Sequence, residues 1–341
     1  MTNKRILLDH GSGGAASREL IESIFLPRLD NPALAKFEDS AILDLSSTRL
    51  AFTTDGYVVD PIFFPGGDIG KLAVHGTIND LAMQGAVPLG LSLALILEEG
   101  FPMADLVRLA DSIAQASRES GVPVVTGDTK VVPRGKADRI FITTSGVGAV
   151  PEGIVLGSNM ARPGDAVLLS GFMADHGITI MAARSGLAIQ SSIESDTAPL
   201  HGLVAALLQE AGSAIRCFRD PTRGGVATVL AEIAEKSGVG IELDEAALPV
   251  RPGVATACEL LGLDPLYLAN EGKCIVIADP GSADSLLSRM RGTPAGRDGV
   301  RIGRVVRDDA HPGTGKVILK TAIGGRRIIG PLSGEPLPRI C

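Results

Sequence analysis

Aromatic residues make up only 3% of this 341-residue chain, and tryptophan is absent. A core of that kind is built from Ala, Val, Ile and Leu, and 42 glycines point to many tight turns. Long apolar runs are also missing. The longest, residues 89–97, is bounded by Pro88 and Glu98 and is too short to cross a bilayer. The opening residues, Met1 to Asp9, contain no continuous apolar stretch and no small-residue cleavage site, so no secretory signal is expected and the cytoplasm is the simplest location. Nor is there an excess of positive charge. With 32 basic and 39 acidic residues the net charge is −7, which excludes the polycationic footprint that neutralises nucleic-acid phosphates.

Cysteine is scarce, and Cys217, Cys258, Cys274 and Cys341 form no Cys-x-x-Cys pair. That spacing rules out a disulfide scaffold and suits a reducing compartment. Cys274 falls in an expected core strand, Cys258 in the helical stretch 254–261 and Cys217 after a helix, so these three read as packing residues. Cys341, the last residue, has no such surroundings. An oxidisable side chain at a chain end, where fraying is normal, is an odd choice unless its sulfur is used.

Two nucleotide fingerprints are missing as well. No Gly-x-Gly-x-x-Gly follows a strand with an acidic residue the expected distance on, and there is no Walker P-loop. Any nucleotide site must be built differently.

The pattern of the chain is a mixture of strands and helices. Strands are expected at 41–45, 49–54, 89–97 and 139–150, with helices at 68–84 and 103–120. After Pro163-Gly164-Asp165 a second set begins, with strands at 166–170, 240–243, 274–278 and 301–306. Its helices are expected at 176–184, 199–211, 223–236, 253–261 and 283–291. The fold class is α+β in two domains meeting near residue 155. The expected divisions are a glycine-rich segment and helix at 1–37, an N-terminal domain at 38–155, a C-terminal domain at 156–311 and a tail at 312–341. Glycines and prolines in 324–338 make that tail an extended arm able to carry the last sulfur on the order of 30 Å.

Four short acidic motifs stand where strands or turns are expected to end: Glu38-Asp39-Ser40, Thr54-Asp55-Gly56, Asn79-Asp80-Leu81 and Gly127-Asp128-Thr129-Lys130. Taken singly, each reads first as a turn former or helix cap. Brought together, carboxylates from different strand ends would bind a hard divalent cation such as Mg²⁺ and bridge it to phosphates. The loop His10-Gly11-Ser12-Gly13-Gly14 is either a turn before a helix or a phosphate cradle of backbone N–H groups. Asp220-Pro221-Thr222-Arg223-Gly224-Gly225 opens a helix, where free N–H groups and an arginine can hold an anion. Asn270-Glu271-Gly272 precedes a core strand and offers a carboxylate to a cleft or a plain turn. His75 lies four residues before Asn79 on one helix face and either joins the metal site or sits as an interior histidine. His176 caps its helix or faces the cleft.

In order along the whole chain, these motifs and the terminal Pro338-Arg339-Ile340-Cys341 resemble the HypE family of hydrogenase maturation factors. That family lies in the superfamily of aminoimidazole ribonucleotide synthetase and selenophosphate synthetase, whose members bind ATP in a glycine-rich cleft without a P-loop. The resemblance implies a two-domain PurM-like fold, with an N-terminal domain that forms a barrel across a homodimer. It implies Mg²⁺ at Asp39, Asp55, Asp80 and Asp128, and ATP against Gly11, Ser12, Gly13, Gly14, Asn79, Thr129, Arg223, Gly224, Gly225 and Asn270. It further implies that a carbamoyltransferase partner, HypF, loads Cys341, that ATP drives dehydration of the carboxamide to a thiocyanate, and that a HypC–HypD complex receives the cyano group. Lys130 is expected at the transferring phosphoryl group, and Glu271 is the first candidate for the base. The C-terminal carboxylate on Cys341 itself should raise the thiol pKa while Arg339 opposes it. Two other functions compete: a superfamily enzyme acting on a small substrate, and a thiol carrier that uses no ATP.

Overall fold

The computed structural model describes residues 14–20, 22–23, 36, 38–45, 48–185, 193–307, 315–332, 334 and 338–341, which fold around two sheets. A short helix, α1 (Ala15–Leu20), precedes the first sheet. That sheet contains β1 (Ala41–Leu45), β2 (Thr48–Tyr57), β5 (Val87–Glu98), β6 (Val124–Val132) and β7 (Ile140–Val150), in the order β1-β2-β7-β5-β6. A small hairpin, β3 (Phe63–Phe64) with β4 (Gly67–Asp68), leads into helix α2 (Ile69–Met83). Asp68 starts that helix by accepting hydrogen bonds from the N–H groups of Gly70 at 2.8 Å and Lys71 at 3.0 Å. α2 is buried along nearly its whole length, as expected of a helix that is apolar all round. It packs on β2, β5 and β7 and also touches helices of the second half. Helix α3 (Met103–Ser120) lies beside it with Leu109, Ile113 and Ala116 turned inward.

The second sheet has seven strands: β8 (Ala166–Leu169), β9 (Ile215–Arg219), β10 (Gly240–Asp244), β11 (Ile275–Ala278), β12 (Val300–Val306), β13 (Val317–Lys320) and β14 (Arg326–Ile329). Its order is β14-β13-β10-β12-β8-β11-β9. β8 and β11 are buried at every position, because helices cover both faces of the sheet there. Those helices are α4 (Asp175–Ser185), α5 (His201–Ala211), α6 (Gly225–Ser237), α7 (Pro252–Leu261) and α8 (Ala283–Arg291). Two clusters divide the faces, one around Val226, Leu230 and Ile241, the other around Leu203, Phe218 and Val276.

Two expectations are corrected here. The segment 312–341 is not one arm, since Val317–Lys320 pairs in parallel with β10 and Arg326–Ile329 closes a hairpin on it. Gly127-Asp128-Thr129-Lys130 does not end a strand either. It occupies the middle of β6, which pairs in parallel with β5 and forms the sheet edge.

Candidate active site

The end of β2 and the C-terminal half of α2 bring hydroxyls and carboxylates together. Thr77 Oγ1 lies 3.2 Å from Asp55 Oδ2, and the Tyr57 hydroxyl reaches the same oxygen at 3.3 Å. Thr53 Oγ1 donates to Asp80 Oδ2 at 2.9 Å, while Ser40 Oγ donates to the Asp80 carbonyl at 2.8 Å and draws residues 39–40 alongside. From the second sheet, Arg219 at the end of β9 places Nε 2.8 Å from Asp39 Oδ2, and the buried Asp220 follows it.

These carboxylates repel one another inside a low-dielectric hollow. Burial, then the charges of Asp55, Asp220 and Asp39, hold the Asp80 carboxyl well above the usual range. Burial pushes Asp39 up to about 8 against the pull of Arg219, with Asp220 and Glu38 adding to the rise. Burial likewise pushes Asp220 up to about 6, again opposed by Arg219. A cation placed among them would relieve the repulsion. Among the described residues no three His, Cys, Asp or Glu groups stand ready to hold a metal by themselves. Carboxylates are oxygen donors of the kind Mg²⁺ takes, together with water and phosphate oxygens.

Glu271 lies just before β11 and is buried. Its N–H donates to Asp196 Oδ1 at 3.0 Å, and Asp196 pairs with Lys273 at 3.2 Å. The two segments approach so closely that a Cβ on Gly272 would stand 2.0 Å from the Asp196 carbonyl oxygen. Burial, then Asp196 and Asp220, raise the Glu271 carboxyl well above its ordinary range, with Arg223 opposing. Its Oε1 has no hydrogen-bond partner among the described residues. Arg223 precedes α6, where Gly225 takes φ +63° and any Cβ would stand 2.5 Å from the Leu266 carbonyl oxygen. The negative charge of Cys341 is the main influence raising the Arg223 pKa, against burial and ahead of Asp55 and Glu271.

Asn79 and Asn270, expected against ATP, hydrogen-bond the protein's own backbone. Asn79 Nδ2 donates to the carbonyls of Ala198 at 3.1 Å and Glu271 at 3.2 Å, and its Oδ1 accepts from Leu200 N–H at 2.8 Å. Asn270 Oδ1 accepts from Ala174 N–H at 2.7 Å while its Nδ2 donates to Pro221 and Leu268, each at 2.9 Å. Both amides are buried, and these bonds tie them to the backbone beside Glu271 and Asp220.

The last four residues lie between the end of β2 and α4. Val58 N–H donates to the Cys341 carbonyl at 3.0 Å and Asp60 N–H to the Arg339 carbonyl at 3.2 Å. Arg184 of α4 donates to the carbonyls of Pro338 at 2.7 Å and Arg339 at 2.9 Å, and His176 Nε2 stands 2.8 Å from the Ile340 carbonyl. Ile340 is buried in an apolar cluster with Val59, Ile178 and Leu268. Cys341 is half-buried, whereas Cys217, Cys258 and Cys274 are buried packing residues. The Arg339 guanidinium bonds the Val58 carbonyl and Asp138. Arg223 is the cation that answers Cys341.

Asp128 is not brought to the acid cluster within one chain. Asp128 pairs with Ala94, Ala94 with Thr143, and Thr143 with Gly56, which at one strand spacing each is about 14 Å. Thr129 and Lys130 are exposed beside it. Gly11, Ser12 and Gly13 lie outside the described residues; Gly14 is buried against Leu332, whose carbonyl accepts from Ala15 N–H at 3.2 Å. Gly224 caps α6 in the left-handed region. His75 is buried away from the acids, its pKa lowered to about 3 by burial and then by Lys71 and His201. Sequence reasoning missed Arg219, Asp220 as a member of the acid set, and Arg184. The adjacent charges that close the apolar strand Ile215–Arg219 were a usable signal for the first two, and Arg184 had none.

Family models of AIR synthase related proteins match both halves of the chain, the N-terminal domain over residues 37–150 and the C-terminal domain over 162–314. The fold is therefore that of a two-domain AIR-synthase-related protein. Carbamoyl dehydratase HypE of Rhizobium leguminosarum bv. viciae is 54% identical over 341 residues, covering 100% of this chain and 96% of that protein. A crystal structure of HypE in complex with ATP is 50% identical with a TM-score of 0.83, covering 99% of this chain and 100% of that one. A HypE–HypF complex gives a TM-score of 0.86 at 47% identity, covering 92% and 99%. The chain belongs to the HypE family of carbamoyl dehydratases.

Proposed function

We propose that this chain uses ATP to dehydrate an S-carboxamide carried on its own Cys341, leaving a thiocyanate whose cyano group supplies the iron of nickel-iron hydrogenase. The observation that carries this reading is the seat of the tail: Val58 N–H holds the Cys341 carbonyl at 3.0 Å, and the Ile340 carbonyl just before it meets His176, whose Nε2 stands 3.8 Å from the buried Glu271. An amide oxygen is a poor leaving group. Its attack on the γ-phosphorus of ATP, with loss of one nitrogen proton, expels ADP and leaves a phosphorylated oxygen on the carbon. Loss of the second nitrogen proton then expels phosphate and completes the carbon–nitrogen triple bond. Glu271 in its ionised form takes the first nitrogen proton and releases it to solvent before it takes the second. Arg223 offsets negative charge on the reacting oxygen. Mg²⁺ held by Asp55 and Asp80, with Asp39 and Asp220 beside them, would neutralise the phosphates. The glycine loop ending at Gly14 and the start of α6 at Gly224-Gly225 supply backbone N–H groups for the nucleotide.

The working unit is a homodimer. β6 is a sheet edge exposed from Val125 to Val131, an arrangement that invites pairing with another strand. Val125 and Val131 are exposed on it, and Phe52 and Ile96 of the same sheet are exposed as well. A second copy docked there would build a barrel and carry Asp128, Thr129 and Lys130 to its neighbour's nucleotide. HypF supplies the carbamoyl group, as its complex with a relative suggests, and a HypC–HypD complex receives the product. No helix among the described residues is long and apolar enough to span a membrane, in keeping with work in the cytoplasm.

Intact-protein mass after incubation with the carbamoyltransferase system tests the reading. A carbamoyl adduct on Cys341 should lose one water only when MgATP is added, and Cys341→Ala should abolish the adduct while nucleotide still binds. An adduct indifferent to ATP would favour a carrier, and no adduct would favour a small-substrate enzyme.

A further inference from the structure

His176 is fully buried at the start of α4, with the Phe64 ring edge-on at 5.6 Å. Its Nε2 lies 2.8 Å from the Ile340 carbonyl oxygen and its Nδ1 2.8 Å from Ser195 Oγ. A carbonyl only accepts, so Nε2 carries the proton and Nδ1 accepts from the serine hydroxyl. Thr197 Oγ1, 2.6 Å from Ser195 Oγ, donates in turn and fixes the direction of the chain of bonds. Glu271 Oε1 stands 3.8 Å from the same Nε2, too far for a hydrogen bond but the next acceptor if the tail carbonyl leaves.

We propose that His176 is a positioning residue for the dehydration: through its Nε2–H it holds the main chain one residue before Cys341 and sets the reacting group against Glu271 and Arg223. This rests on the dehydratase reading above. Two features favour positioning over proton transfer. The fixed tautomer turns an N–H, not a lone pair, toward the cleft, so His176 cannot take the nitrogen protons. It also grips a backbone carbonyl, so the same seat accepts the free thiol, the carboxamide and the thiocyanate. Arg184 grips the preceding carbonyls in the same way. When the tail departs toward a partner, Glu271 Oε1 is available to the freed N–H, and the buried donor is not stranded.

The test uses full-length protein, wild type, His176→Ala, His176→Gln and Ser195→Ala, with two readouts. The first is iodoacetamide alkylation of Cys341 in the unmodified protein. His176→Ala should raise its rate about tenfold and Ser195→Ala about threefold, with His176→Gln nearer wild type because its amide keeps a donor. The second is single-turnover water loss from the carbamoylated protein across MgATP concentrations. Here His176→Ala should slow turnover at saturating MgATP by roughly 10- to 100-fold and leave the half-saturating concentration unchanged. Alkylation at the wild-type rate in both His176→Ala and Ser195→Ala overturns the proposal. So does a defect that appears as weaker MgATP binding instead of slower turnover. If His176→Ala does not fold, Ser195→Ala decides by the same alkylation criterion. If wild type keeps its carbamoyl group in MgATP, the dehydratase reading fails, and the alkylation rates still decide whether His176 holds the tail.

Discussion

Asp80 and Asp128 come from similar short motifs, yet the structure puts them in opposite electrostatic settings. Asp80 shares a hollow with Asp39, Asp55 and Asp220, and each charge there raises the cost of the next. Asp128 is exposed on the edge strand, where Lys130 Nζ stands 2.7 Å away and the Thr129 N–H donates at 2.8 Å. The Lys130 hydrogen bond, then that N–H, hold its carboxyl below the usual range. On the proposed function, a cation would relieve the first set and a neighbouring subunit would make use of the second. An acidic motif by itself distinguishes neither case.

Asp80→Asn should break the comparison most visibly. On the proposed function it removes a cation ligand, and it also removes a buried carboxyl held well above its usual range, so single-turnover dehydration should fall on the order of 100-fold, while the metal-free protein should melt at a higher temperature than wild type by calorimetry. A lower melting temperature would make Asp80 a structural partner of Thr53 rather than a member of a self-repelling set. Next in size is the double substitution Val125→Glu with Val131→Glu. Sedimentation should show a monomer, and dehydration should drop about tenfold or more because Lys130 no longer reaches a neighbour's phosphates. A dimer that persists would remove β6 from the interface, and a fully active monomer would remove Lys130 from the chemistry.

The smallest effect is on stability against pH. A carboxyl whose folded pKa lies above its unfolded value binds more proton in the folded state, so stability falls as pH rises between the two. For Asp39 that window runs from 3.8 to about 8. The buried His75, lowered from 6.5 to about 3, acts oppositely and adds stability as pH rises toward 6.5. Between pH 6.5 and about 8 the carboxylates therefore govern. The melting temperature of the metal-free protein should decline across that interval, Mg²⁺ should flatten the decline, and Asp128→Asn should leave it unaltered. A melting temperature that rises over the same interval would show that the cluster does not hold protons in the folded state.

Much of the fold was legible because local pattern and tertiary demand agree. The helix expected at 103–120 is α3 without adjustment, since its apolar residues recur on one face. The expected helix at 68–84 includes both caps of α2. β6 was missed because Gly127-Asp128 is turn-like by composition, and strand pairing with β5, not propensity, makes it extended. β13 and β14 escaped notice for a related reason, since Gly324-Gly325 marks the turn of a hairpin rather than the root of an arm. Asn79 and Asn270 sit in motifs that suit a ligand, but burial commits their amides to backbone groups of distant segments.

Residue identity and order alone determined that this chain is a HypE-type protein, with ATP as the nucleotide expected and Cys341 as the residue expected to carry the substrate, because these rest on which side chains exist and in what sequence. Tertiary structure decided the rest: which aspartates influence one another, that the charge of Cys341 acts on Arg223, and that His176 holds a carbonyl 164 positions away. Charge repulsion and hydrogen bonding depend on distance and burial, and neither is written in a local stretch of sequence.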